Sequence, residues 1–135
     1  PLIVNKWLTI QATAPCFAGE APVVTRVSEL ANSPFFSMAN PNNVYALLVA
    51  FFKNNPAEFH RLDGEGYKFW VECVLKLDAL NPQVASRVAR SLENWRRYTP
   101  QLSNLMFQAL KHLERQEKLS VSVREIVEKA LNNPA

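Results

Sequence analysis

Apolar residues recur at helical spacing along almost the whole chain, and no stretch alternates with a period of two for more than a few residues. That pattern predicts an all-α fold. A first helix is expected from residue 2 to about 13, ended by Pro15, and Pro22 opens a second that runs towards Leu30. Residues 33–37 read as a loop with aromatic anchors. Asn40-Pro41 starts a third helix through about Lys53, whose uncharged run 44–52 is apolar nearly all round, so neighbours should cover it on more than one side. Asn55-Pro56-Ala57-Glu58 has capping-box chemistry for a short turn that stops by Asp63-Gly64. A helix over about 67–79 follows, with Lys68, Glu72 and Lys76 as a solvated stripe.

Asn81-Pro82 combines a preferred N-cap with a proline at the first helical position, and predicts a helix to about Arg97. Gln83, Arg87, Arg90, Asn94 and Arg97 fall on one face of it; Val84, Val88, Leu92 and Trp95 fall on the other. Pattern alone makes the first face a solvated one. Thr99-Pro100 resets the chain before a long helix striped by Leu102, Leu105, Met106, Ala109, Leu110 and Leu113, and Ser122 to Glu125 reads as the capping box of a last helix. About eight helical pieces joined by short connections imply antiparallel hairpins, stacked as a HEAT/armadillo-like superhelix or gathered as a compact bundle. Trp7, Trp70 and Trp95 each sit in an apolar pattern and are expected in the core.

Composition narrows the picture. A chain of 135 residues, 48% hydrophobic and 20% charged, suits one folded domain spanning residues 1–135. The longest uncharged apolar run is far short of the roughly 20 residues a bilayer span needs, so no membrane partner is expected. No secretory signal is visible, and the missing initiator Met fits either a trimmed start or a domain cut from a longer chain. Cys16 and Cys73 lack metal or redox spacing and read as buried free thiols of a reducing compartment. The net charge of +3 is uneven: residues 1–85 hold six Lys/Arg against seven Asp/Glu (−1), and residues 86–135 hold nine against five (+4). Five acids are interleaved with those nine bases, and exposed aromatic and basic residues do not alternate. Nucleic acid is therefore not an expected partner.

Catalytic motifs are absent. Only His60 and His112 are present, neither in HExxH nor in a Cys/His cluster, and both read as structural. Asp63 and Glu65 lack a third polar partner and read as turn residues; Gly64-Glu65-Gly66 is no phosphate loop. By itself this chain is expected to be no enzyme and to hold no metal or cofactor.

Four pieces nonetheless resemble one family. Phe36-Ser37-Met38-Ala39-Asn40-Pro41-Asn42, then Asn55-Pro56-Ala57-Glu58-Phe59-His60 with Asp63-Gly64-Glu65-Gly66-Tyr67, then Lys76-Leu77-Asp78, and finally Asn81 to Arg87 are similar to the C-terminal helical domain of bacterial aminopeptidase N, a zinc aminopeptidase of the gluzincin class. The likeness covers about residues 2 to 132. It implies a multidomain parent whose catalytic domain, absent here, carries HExxH and zinc, with this domain as a superhelix closing over the active site in the cytoplasm. The implied partners are that catalytic domain of the same polypeptide and peptide substrates. The implied substrate-channel residues are Gln83, Arg87, Asn40, Asn42 and Tyr45. Where relatives have Asn-Pro-Asn-Arg-x-Arg, this chain has Asn43 and Tyr45 at the two cationic positions, which would alter the channel's electrostatics. An independent helical-repeat scaffold that binds a protein or peptide is the alternative.

Overall fold

In the computed structural model, which describes residues 2–132, the chain is all-α: α1 (Leu2–Ala12), α2 (Val23–Ala31), α3 (Pro41–Val44), α4 (Ala50–Asn54), α5 (Pro56–Phe59), α6 (Glu65–Leu80), α7 (Pro82–Ala89), α8 (Pro100–Glu114) and α9 (Val121–Asn132). The chain divides after His60 into two compact units.

In the first unit, α3 and α4 are joined without a break by a π-helical segment, Tyr45–Val49, so the expected third helix exists but carries a widened turn. Val44, Leu47, Leu48, Phe51 and Phe52 are all buried, as the uncharged run required. Phe51, Phe52 and Phe59 form an aromatic cluster with ring centroids 5.0–5.8 Å apart. The capping box expected at Asn55 does not form. Instead the Asn55 amide Nδ2 donates to the carbonyls of Ala12 (2.9 Å) and Ala14 (3.0 Å), and Glu58 Oε1 accepts from the Val23 N–H (3.0 Å). Both side chains serve the ends of other helices: the last carbonyl of α1 together with that of Ala14 just past it, and α2's first N–H. Trp7 also departs from expectation: it is 40% exposed on the outer side of α1, edge-on to Phe35.

His60 closes α5 half-buried, with its ring 4.8 Å from that of Phe59. Burial disfavours its charged form and lowers its pKa below the usual imidazole value. The folded state thus resists a proton that the unfolded state accepts, so this contribution to stability is present above the unfolded imidazole value and lost as pH falls below it. Acidification from roughly pH 7.5 to 5.5, across that value, should lower the melting temperature more in the parent protein than in His60→Gln. Equal losses in the two would show that burial of this ring carries no penalty.

In the second unit, α6 runs on Tyr67, Phe69, Trp70, Val71, Cys73, Val74 and Leu77 as its buried side, with Lys68, Glu72 and Lys76 exposed as expected. Burial pushes the Cys73 thiol up. Trp70 is fully buried and its indole Nε1 donates to the Val88 carbonyl at 2.9 Å, so α7 folds back along α6 after the turn at Asn81. The helix expected to reach Arg97 ends earlier, at Ala89, and continues as two 3₁₀ turns, Arg90–Leu92 and Trp95–Arg97. Its redirection has a partner: Trp95 Nε1 donates to the Ala130 carbonyl (3.0 Å) and Arg96 to the Leu131 carbonyl (2.7 Å), covering the orphan end of α9. Trp95 is consequently half-buried rather than core. At the other end of α9 the cap is Ser120, not Ser122; its Oγ accepts from the Val123 N–H and donates to Asp78, which also accepts from the Ser120 N–H at 2.8 Å. No helix among the described residues is long and apolar enough to cross a membrane.

Candidate functional site

The first turn of α7 is built as the sequence predicts. Asn81 Oδ1 accepts from the N–H groups of Gln83 (3.1 Å) and Val84 (3.3 Å), with Pro82 at the first helical position. Val84, Ala85, Val88 and Ala89 are buried, so Gln83, Arg87 and Arg90 are carried on the exposed side. One turn separates Gln83 from Arg87, which sets their Cβ atoms roughly 6 Å apart. A carboxamide that both donates and accepts thus stands beside a permanently charged five-donor guanidinium. Together they suit a carboxylate or a run of peptide carbonyls.

Asn40, Asn42 and Tyr45 belong to the first unit. Asn40 is the N-cap of α3, its Oδ1 accepting from Asn42 N (3.0 Å) and Asn43 N (3.4 Å), while the Asn42 side chain is exposed and Tyr45 is half-buried at the start of the π segment. Asn43 has a different role. Only 8% exposed, it accepts from the Ser37 N–H (3.0 Å) and donates to Asn5 Oδ1 (2.8 Å). Both ends of its amide are committed to the unit's interior, so the amide at this position ties α1 and the preceding loop to α3.

The second unit also has two concavities that its sequence pattern did not reveal. A groove of about 410 Å³ between α6 and α8 has Tyr67, Val71, Leu105 and Ala109 as its apolar floor, with Lys68 and His112 at its edges. Gly64, in the left-handed region (φ +74°), closes one end, and a Cβ there would come 3.5 Å from Leu105. Only this glycine hinted at the groove. A second, more polar hollow of about 300 Å³ is lined by Arg90, Glu93, Asn94, Ile126 and Lys129. Asp63 serves the turn as the sequence predicts: it accepts from the Glu65 N–H (3.0 Å) and from Arg61 Nε (3.0 Å). Burial pushes the Asp63 carboxyl up, but those bonds and the Arg61 charge outweigh it and hold it below the ordinary carboxylate range. Among the described residues no three His, Cys, Asp or Glu side chains gather closely enough to hold a metal ion.

An all-α chain of short helices whose ends are capped by side chains from neighbouring elements suits a helical-repeat domain. The chain belongs to the family described as a domain of unknown function (DUF3458_C) with ARM repeats, matched over residues 1–132. It is similar to aminopeptidase N of Caulobacter vibrioides (39% identity; 97% of this chain, 15% of that protein) and of Escherichia coli (41% identity; 96% and 14%). A solved structure, Legionella pneumophila aminopeptidase A in complex with aspartic acid, superimposes with a TM-score of 0.87 at 34% identity, over 97% of this chain and 15% of that one. The chain therefore spans about 15% of the length of these relatives, and its resemblance to the C-terminal helical domain of bacterial aminopeptidase N holds.

Proposed function

We propose that this chain is the non-catalytic helical domain of a zinc-dependent aminopeptidase N, in which it walls the active-site cavity and contacts peptides whose N-terminal residues the catalytic domain removes. The observation that supports this most is that nearly the whole chain matches a small share of aminopeptidase N relatives, while its best-defined polar feature is an exposed helix face. In such enzymes zinc polarises a water for attack on the peptide bond. The described residues offer no fitting donor set, so none of the zinc's ligands is assigned to this chain. The partners are the catalytic domain of the same polypeptide and peptide substrates, and two free cysteines suit a cytoplasmic enzyme.

Within this reading, Gln83 and Arg87 hold the peptide beyond the cleaved bond, Arg87 as the main cationic contact for a carboxylate or carbonyls. Asn42 and Tyr45 contribute neutral polar groups from the first unit, and Asn40 holds its helix start in shape. In the full polypeptide, Arg87→Ala should raise peptide KM about tenfold, equivalent to roughly 1.4 kcal/mol, with kcat little changed and Arg87→Lys intermediate. An unchanged KM removes Arg87 from the substrate path. A full polypeptide that binds peptides without cleaving them would instead favour an independent scaffold.

A further inference from the structure

The exposed face of α7 does not stop at Arg87. Gln83, Arg87 and Arg90 stand at i, i+4 and i+7 and are all exposed, so they follow one another down one side of the helix. At Arg90 the helix tightens into the 3₁₀ turn Arg90–Leu92, and the face runs into the polar hollow of about 300 Å³. One wall of that hollow is Arg90, Glu93 and Asn94; the other is Ile126, Lys129 and Ala130 of α9. Two cations against one carboxylate leave it net positive. The carbonyl end of α9 adjoins it and by itself would repel an anion. That end is already met: the Ala130 carbonyl accepts from Trp95 Nε1 (3.0 Å) and the Leu131 carbonyl from the Arg96 guanidinium (2.7 Å). The walls therefore offer a guanidinium and an ammonium for a carboxylate, the side-chain oxygens of Glu93 and Asn94 for an N–H, and an apolar strip from Ile126 and Ala130. The last residue of a peptide presents those three counterparts together: a carboxylate, a backbone N–H and a side chain.

We propose that the hollow between the Arg90 turn and α9 receives the C-terminal residue of a peptide substrate, with Arg90 and Lys129 on its carboxylate and Glu93 and Asn94 on its N–H. This rests on the reading that Gln83 and Arg87 hold the peptide beyond the cleaved bond, and it names the class of peptide that gains most. The rise from Gln83 to Arg90, seven residues at about 1.5 Å each, is about 10 Å. An extended peptide covers that distance with about three residues. A peptide too short to do so leaves its carboxylate at Arg87. A longer one lays carbonyls on Gln83 and Arg87 and delivers its carboxylate to the hollow, where two cations replace one. The favoured class is therefore an oligopeptide with a free C-terminus, and the hollow senses its length.

The test is steady-state kinetics of the full polypeptide on a ladder of peptides from the dipeptide upward, with a constant N-terminal pair, each made as the free acid and as the C-terminal amide. In the unsubstituted enzyme KM should fall about tenfold at the length where the carboxylate reaches the hollow, and amidation should abolish that fall. This first readout needs no variant. In the double substitution Arg90→Gln with Lys129→Gln, both at exposed positions, the acid and the amide of the longer peptides should share one KM. Lys129→Arg, which keeps the charge, should retain the fall. A KM without a step along the ladder, an equal step for acids and amides, or a step that survives the double substitution overturns the inference. Arg87→Ala on the same ladder separates the two ideas. If it raises KM while no step appears, the hollow is excluded and the proposed function stands; if it leaves every KM unchanged, the proposed substrate contact fails as well, and this inference with it.

Discussion

Trp70→Ala is expected to cost about 3–5 kcal/mol, the range for removing a large buried aromatic side chain. The side chain has no exposed surface, and its replacement both leaves a cavity and removes the indole N–H from which the Val88 carbonyl, in the last turn of α7, accepts at 2.9 Å. Trp70→Phe retains most of the packing and loses the bond, so about 1–2 kcal/mol is expected from it. Urea unfolding followed by circular dichroism measures both. A Trp70→Ala cost near that of an ordinary surface substitution would mean that the α6–α7 pairing does not depend on the indole. Val88 directly follows Arg87, so loosening this contact also releases the turn that carries the proposed substrate contact. In the full polypeptide, Trp70→Phe should therefore raise peptide KM at temperatures where the protein remains folded.

What was legible in the sequence was local. Asn40-Pro41 and Asn81-Pro82 announce helix starts because the capping oxygen, the missing proline N–H and the helix they serve are all within a few residues. The buried faces of α6 and α8 follow from 3.6-residue spacing in the same way. Other features depended on partners far along the chain. Asn55 and Glu58 have the spacing of a capping box, yet the Ala12 and Ala14 carbonyls and the Val23 N–H claim them across 35–43 residues. Trp95 and Arg96 sit on a continuous helical pattern, but the exposed carbonyls at the end of α9 reward a bend there. Trp7 sits in an apolar pattern, yet it is 40% exposed and edge-on to Phe35, a partner far along the chain.

The candidate site divides along the same line. Helical spacing was enough to put Gln83 and Arg87 on one exposed face, whereas the proposed use of that face is nothing that spacing specifies. Asn43 shows the converse. Resemblance pairs it with a cationic channel position, and only the fold reveals that its amide is committed to Ser37 and Asn5. The Tyr45 phenol, by contrast, is half-buried and retains some exposure.

Phe59→Ala should destabilise the first unit about as much as Trp70→Ala does the second, by roughly 3–5 kcal/mol. Its helix, α5, is a single turn of four residues, too short to be stable alone because nucleation outweighs the few bonds it makes. Tertiary ties that hold that turn include the fully buried Phe59 ring against Phe51 and Phe52, the Glu58 carboxylate on α2, and the Asn55 amide on the end of α1. The ring is the largest of them, and the other two need the turn in place to reach their partners. Phe59→Ala and Asn55→Ala should thus fail to add: once the ring is gone, the second substitution costs less than it does alone, with a coupling of about 0.5–3 kcal/mol. Phe59→Leu, which keeps the volume nearly filled, should cost about 1.5 kcal/mol or less. A double-mutant cycle by urea unfolding decides the matter, and strict additivity would mean that the turn stays docked on its hydrogen bonds without the aromatic cluster.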